Sequence, residues 1–453
     1  VIHISLSSLR KKSKNALQIA CRGLGYTPEE GTFLGSFIQA ERGLQFSLHQ
    51  TFYGDEENNL APNREFANLM TQTYPDVWEV ACRIEGLCVG TGQHAGGVIV
   101  SQQDMVDDVA LMKTKSGDIT TQFDLHSAEA CSLIKWDILA IDALGKIKTE
   151  LQLLLEDKMI EWQGNWRDTY EKYLGVYNID RHNDEIWDMI DNHQILSLFQ
   201  FEKQSGYQAV ELGKPRSLED MAALNSIMRL MPPDPTAETP LQRYSNYKKD
   251  ISLWYKEMDS YGLNKEEQHF LEKYALKNAG TLANQEDFML IVQDPMVGGF
   301  NLLWADRLRK SIAKKNPKEF LALQAEFYEN MEQQNLSRNL CHYTWDVLIS
   351  MNKGYGFNKS HTLGYSIVAL QEANLAYKFP VIYWNCANLI SDSGGMDSTV
   401  NYGKIASAMS RMRKEGIKIV PPYINEARFD FKPDYKNNKK KLINNIISVY
   451  YYI

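Results

Sequence analysis

Leu133-Ile134-Lys135-Trp136-Asp137-Ile138-Leu139 is an apolar, β-prone run interrupted by one cation and one carboxylate. Period-two alternation sends Lys135, Asp137 and Leu139 to one face of a strand, and Ile134, Trp136 and Ile138 to the other. A Lys and an Asp on the same face of so apolar a strand have two explanations. One is a cross-strand ion pair at a sheet edge. The other is a metal-binding carboxylate beside a cation that faces phosphate. A single Asp does not hold two divalent ions, so the second explanation requires further acidic residues. Asp124, in Thr121-Gln122-Phe123-Asp124, is a candidate neighbour and equally a turn or cap residue.

Two more β-rich runs lie upstream, Val98-Ile99-Val100 and Ile119-Thr120-Thr121-Gln122-Phe123, with a polar turn at Lys113–Gly117 between them. Together these runs predict one small sheet within residues 91–141. Residues 1–90 read mostly helical, with turns at Thr27-Pro28 and Gly54-Asp55. From Asp142 to about Ala387 the pattern returns to helices, Ser366–Tyr377 carrying apolar residues at helical spacing. Pro232-Pro233 and Pro235 mark an irregular loop. There is no internal repeat, and the expected class is α+β.

Composition narrows the function classes. The chain has 453 residues, 44% hydrophobic and 23% charged, near the globular average, which excludes disorder, collagen and coiled coil as its main description. No run of 18 apolar residues exists, so no membrane-spanning helix is expected. The six cysteines form no CxxC pair, which argues against zinc ribbons and redox motifs and for a reducing, cytoplasmic compartment. The net charge of −8 argues against nucleic-acid binding by bulk charge and leaves room for a local basic groove. The start, VIHISLSSLRKKSKN, lacks the order of a signal peptide and has no Met, so the chain is read as beginning partway through something longer. Residues 434–453, rich in Asn, Lys, Ile and Tyr, differ from all that precedes and are expected to stand outside the fold, as translation past a break in the gene would leave them.

Three further stretches carry chemistry. Gln93-His94-Ala95-Gly96-Gly97-Val98 is a glycine pair leading into a strand, where positive φ and close backbone approach would let N–H groups meet a phosphate; a plain tight turn explains it as well. Ala305 to Lys315 is a basic helix in which Arg307, Lys310 and Lys314 line one side and Arg309 leaves on another. Such a cluster in an acidic chain suits polyphosphate or a nucleic-acid backbone, or is a solvated face. Lys353-Gly354-Tyr355-Gly356-Phe357-Asn358-Lys359-Ser360-His361 sets a ring between glycines and crowds four polar groups at a helix start. A cap accounts for Asn358 or Ser360, whereas a stacking ring beside cationic and amide donors is what a nucleotide pocket needs.

Gly-x-His94-Ala-Gly-Gly-Val, Thr121-Gln-Phe-Asp124, Lys135-Trp-Asp137-Ile-Leu, Leu198-Phe-Gln-Phe-Glu202, Gln285-Glu286, Ala305-Asp-x-Leu-Arg309-Lys310-x-x-x-Lys314-Lys315, Gly354-Tyr-Gly-Phe-Asn-Lys-Ser-His361 and Pro421-Pro-Tyr-Ile-Asn425 occur in this order. In that order and spacing they resemble the alpha subunit of bacterial DNA polymerase III, the C-family replicative polymerase, over roughly residues 1–435. The divergence elsewhere fits a remote or phage-borne relative.

The resemblance implies a helical thumb at 1–90, the returning part of a palm at 91–150 with a small mixed sheet of the nucleotidyltransferase type, fingers at 151–435, and a low-complexity tail at 436–453. It implies template-directed addition of deoxynucleotides to a primer 3′ end with two Mg²⁺ ions, on primer-template DNA. Asp137 matches the third metal-binding, catalytic aspartate and Lys135 the lysine facing the triphosphate. His94, Gly96 and Gly97 match the phosphate-approaching turn. Arg309, Lys310 and Lys314 match the fingers' basic set, and Tyr355, Asn358, Lys359 and His361 the surface around the nascent base pair. The family's Pro-Asp-x-Asp-x-Asp stretch, which supplies the other two aspartates, is absent, so the chain is expected to be inactive alone and to need a chain or segment carrying that pair; a sliding clamp is a further implied partner. The family's Arg-Pro-Gly-Pro motif has become Arg229-Leu-Met-Pro-Pro-Asp-Pro235, which leaves Arg229 without an assigned role. Two other classes remain: a DNA-binding or replisome module without chemistry, and a metal-dependent hydrolase built on His94, Asp124, His126 and Asp137.

Overall fold

The computed structural model describes residues 2–10, 12–41, 44–55, 60–101, 104–107, 109–114, 117–123, 125–138, 140–232, 236–313, 316–353, 356–394, 400–420, 431–434 and 446–448. The chain divides into two compact units, Val1–Ala140 and Ile141–Ile453. Both mix helices with small sheets, and helices dominate, so the class is α+β.

The first unit contains a helical cluster and a mixed five-stranded sheet. Helices Ser13–Gly23, Pro28–Ser36 and Pro75–Ile84 bury Leu17, Leu34, Phe66, Met70 and Val77 completely. The Thr27-Pro28 turn is a helix start: Glu30 N donates to Thr27 Oγ1 (3.2 Å) and Thr27 N donates to Glu30 Oε2 (2.8 Å), a reciprocal capping box with Pro at the first helical position. The sheet runs, edge to edge, Leu111–Lys113, Ile119–Thr121, Ile2–Arg10, Cys88–Val100 and Lys135–Asp137. Among the described residues, its one parallel pair sets Ile4 beside Thr120 and the other neighbours are antiparallel.

The sheet corrects part of the reading of residues 1–90. Ile2–Arg10 is not helical but a strand paired along the long Cys88–Val100 strand. The expected runs at 98–100, 119–123 and 133–138 all contribute strands, and Leu111–Lys113 adds one more before the polar turn closed by Thr114 N donating to Asp118 O (2.8 Å). A small apolar cluster of Ile99, Met105, Val109 and Ala128 lies against the sheet.

The second unit has one large core, with Trp187, Trp254, Trp345, Trp384, Tyr343 and Tyr383 fully buried. Helix Lys359–Lys378 runs through it and is buried on nearly every side of its C-terminal half, polar residues included. Those polar residues are used: Gln371 Nε2 donates to Leu174 O (2.7 Å), Asn374 Nδ2 to Asp180 O (2.9 Å), and Glu372 Oε2 accepts from Phe199 N (2.7 Å). The expectation of a tail outside the fold is corrected at one point. Ile446–Ser448 forms the middle strand of a three-stranded sheet, parallel to Lys418–Val420 and antiparallel to Lys432–Asp434, because a β-prone run completes two open strand edges.

Candidate functional site

In the first unit the site grows from a bulge. Ile4 lies opposite Val98 but Leu6 lies opposite Gln93, so two steps on one strand match five on the other and three extra residues are accommodated across His94–Gly97. The same segment faces the Lys135–Asp137 strand on its other edge, with Gly97 opposite Asp137, Val98 opposite Trp136 and Ile99 opposite Lys135. Ile138 N donates to Gly96 O (2.6 Å) and fastens the bulge to that strand. Gly97 therefore serves close packing. Gly97 does not have positive φ, contrary to the freedom expected of it, but a Cβ there would stand 2.8 Å from His94 Nδ1 and 3.1 Å from Lys135 Cδ.

The His94 ring lies in that space. Lys135 Nζ is 3.2 Å from Nε2, and Gly96 N approaches Nδ1 at 3.2 Å. A neutral imidazole has one acceptor nitrogen, so it accepts from only one of these donors in either tautomer. The bulge thus sets His94 and Lys135 side by side next to the backbone of Asp137. The Asp137 side chain, the side chain of His126, and residues Asp124 and Leu139 lie outside the described residues.

In the second unit, helix Leu302–Ala313 presents Arg309 and Lys310 together. Arg309 Nη2 and Nε reach Asp306 Oδ1 at 2.7 and 2.8 Å, and Lys310 Nζ reaches Oδ2 at 2.8 Å. Hydrogen bonds from Lys310 and Arg309 hold the Asp306 carboxyl below its ordinary range. Spacing alone puts Arg309 on a different side from Lys310 and groups Lys310 with Arg307. The structure reverses this, because one carboxylate a helical turn upstream gathers the two cations at i+3 and i+4. Arg307 turns away to Glu319 (2.9 Å) and Glu326 (3.0 Å) of helix Pro317–Gln333, an ion-pair cluster that joins the two helices. Lys314 lies outside the described residues.

The glycine-rich loop is bolted to a neighbouring helix. Gln285 N donates to Phe357 O (2.9 Å), Gln285 Nε2 to Gly356 O (2.5 Å), and Lys359 N to Glu286 Oε2 (2.9 Å). Asn358 Oδ1 caps helix Lys359–Lys378 by accepting from Ser360 N (3.0 Å) and His361 N (3.3 Å). Phe357 and His361 stack at 4.9 Å with planes 12° apart, and His361 lies 3.9 Å from Tyr365 between ring centroids. Burial, then the Arg229 guanidinium, pushes the His361 imidazole below its ordinary range. Gly354 and Tyr355 lie outside the described residues.

Sequence reasoning missed Arg229. Its guanidinium lies over the Phe357 ring at 4.7 Å and donates to Gln200 Oε1 (2.6 Å) and Asn225 Oδ1 (2.7 Å). Nothing in local spacing links Gln200, Arg229 and Phe357; Gln200 and Phe357 fall in the ordered motifs and Arg229 in the altered Arg-Pro-Gly-Pro segment. Among the described residues no group of three or more His, Cys, Asp or Glu is arranged to hold a metal ion. No helix among them is long and apolar enough to cross a membrane.

Comparison with known proteins agrees with this picture. The bacterial DNA polymerase III alpha NTPase domain model matches residues 4–140, and the bacterial DNA polymerase III alpha subunit finger domain model matches residues 158–335. The chain is 40% identical over 436 residues, 94% of its length, to a probable DNA polymerase, YorL, of Bacillus subtilis, and equally to a DNA-directed DNA polymerase of Bacillus phage SPbeta. It is 29% identical over 372 residues to the DNA polymerase III subunit alpha of Campylobacter jejuni, covering 81% of this chain and 28% of that protein. The chain belongs to the bacterial DNA polymerase III alpha-subunit family. It spans about a third of the length of the curated relatives it matches.

Proposed function

We propose that this chain is a working part of a replicative DNA polymerase, joining a palm strand that bears one catalytic carboxylate to fingers that hold the incoming nucleotide. The reaction is template-directed transfer of a deoxynucleotide to a primer 3′ oxygen, with release of pyrophosphate. The observation that carries this reading is the His94–Gly97 bulge opposite Asp137, with Lys135 against His94, in a chain aligned with polymerases over 94% of its length. In it, the palm is 91–150 together with the strand Ile2–Arg10, the thumb is the helical remainder of 1–90, and the fingers are 151–435.

Lys135 and His94 offer a cation and an imidazole beside Asp137 and meet phosphate oxygens there. Arg309 and Lys310, sharing the single carboxylate of Asp306, keep one net positive charge for the triphosphate and stabilise charge that develops on it. Asn358, Lys359 and His361 line the surface against which the nascent base pair packs, and Tyr355 is assigned to it by the resemblance alone. When bound, two Mg²⁺ ions would activate the attacking oxygen and steady the leaving pyrophosphate. One carboxylate beside a lysine does not fit two such ions, which need more oxygen ligands, so a chain or segment bearing further aspartates completes the site.

Primer extension tests this. The chain alone should bind primer-template but not extend it, and mixing with a chain that carries the missing aspartates should restore extension. Asp137→Asn should then abolish extension and leave DNA binding nearly intact. Normal extension by Asp137→Asn removes Asp137 from the chemistry. Salt-dependent DNA binding that no partner converts into extension points instead to a binding module.

A further inference from the structure

We propose that Arg229 is a positioning residue: held by Gln200 and Asn225, its guanidinium presses on Phe357 and so fixes the His361 ring in the glycine-rich loop. The geometry is a chain of planar groups in contact, parallel between Phe357 and His361 (12°) and tilted between His361 and Tyr365 (47°) and between Tyr365 and Phe199 (57°). Arg229 lies over Phe357 at 4.7 Å, Phe357 on His361 at 4.9 Å, His361 on Tyr365 at 3.9 Å, and Tyr365 on Phe199 at 5.0 Å. Both ends of this chain of contacts return to one short segment, Phe199-Gln200.

That segment is built to hold a position. Ser197 and Gln200 have φ of 54° and 68°, left-handed conformations that non-glycine residues adopt only at a cost. Three bonds from the buried core impose them: Trp384 Nε1 to Leu196 O (2.7 Å), Lys146 Nζ to Ser197 Oγ (3.1 Å), and Phe199 N to Glu372 Oε2 (2.7 Å). The strained backbone aims Gln200 Oε1 at Arg229, and the guanidinium fork then has a fixed orientation over the ring.

The consequence is chemical. Burial disfavours protonation of His361, and the guanidinium one ring away acts in the same direction. The other titratable groups at this point are Tyr365, against the imidazole, and Lys359 with Glu286 at the helix start. A neutral His361 presents one donor and one acceptor and adds no charge to the loop. Arg229 therefore acts through another residue, in contrast to the phosphate role of Arg309 and Lys310. The inference rests on the nucleotide reading for its meaning, but its first test does not.

That test is the titration of His361 by NMR in the full chain, its ring signal assigned by loss in His361→Asn. Arg229→Gln should raise the His361 midpoint by about 0.5–1 pH unit. Gln200→Asn is too short to reach the guanidinium yet is tolerated at positive φ, and should raise it in the same direction by less. In the reconstituted polymerase both should raise KM for the nucleotide more than they lower kcat. A midpoint that stays at its wild-type value in Arg229→Gln overturns the proposal; should that variant not fold, an unmoved midpoint in Gln200→Asn overturns it. Failure of the wild-type reconstituted enzyme to extend primers, with the midpoint moving as stated, sinks the nucleotide reading and leaves the positioning role standing.

Discussion

Gly97 and the buried glutamates show how single residues set limits on this molecule. Gly97→Ala would force its Cβ against His94 and Lys135 across the strand from Asp137. Overpacking of this kind costs about 1–3 kcal/mol, so denaturant melts should show that loss. The same variant should cut extension by the reconstituted enzyme at least tenfold, whereas retained extension would mean the bulge tolerates a shifted histidine. Glu150 and Glu372 are both fully buried, with neither Glu150 oxygen nor Glu372 Oε1 hydrogen-bonded. Burial raises the Glu150 carboxyl well above its ordinary 4.5. Burial likewise raises Glu372, opposed by the Phe199 N–H and Lys146 and reinforced by Glu202 and Glu150. The folded state then binds more protons than the unfolded chain above that ordinary value. Stability is therefore full below it and falls as pH rises through the folded values. Thermal melts from about pH 5 to about pH 9 should show Tm declining, and Glu150→Gln should flatten the slope. An unchanged slope would exclude Glu150 as its source.

At the scale of the element, helix starts do the positioning. Asn358 caps the longest described helix, Lys359–Lys378, at the place where the glycine-rich loop ends. Asn358→Ala should cost about 1 kcal/mol, and Asn358→Ser should recover most of it, as read by urea midpoints. Equal midpoints for both variants and the wild type would mean that Glu286 alone holds this start through the Lys359 N–H. The sheet shows how far local pattern reaches. The runs at 98–100, 119–123 and 133–138 were legible because alternation and β-branched residues mark strands. Ile2–Arg10 carries the same signal in Ile2, Ile4 and Leu6, but the helical pattern after it outweighed three apolar positions. The bulge at His94–Gly97 was not legible, since register belongs to a pair of strands and not to either one.

At the scale of the whole molecule, each of the two units has its own buried core. Calorimetry of the full chain should therefore depart from a single two-state transition, and a single sharp peak with matching calorimetric and van't Hoff enthalpies would contradict this. The pH dependence carried by Glu150 and Glu372 should appear only in the transition of residues 141–453. Family membership, the α+β class and the ordered motifs were determined by the sequence alone, because hydrophobic period, turn residues and motif order are properties of neighbouring positions. Tertiary structure alone decided that Arg307 serves helix packing while Arg309 and Lys310 share Asp306. It alone decided that Gly97 makes room for His94, and that Arg229 reaches Phe357 from Gln200. Each of these depends on which distant segments meet, and a guanidinium finds its partner by reach and burial, which spacing along the chain does not encode.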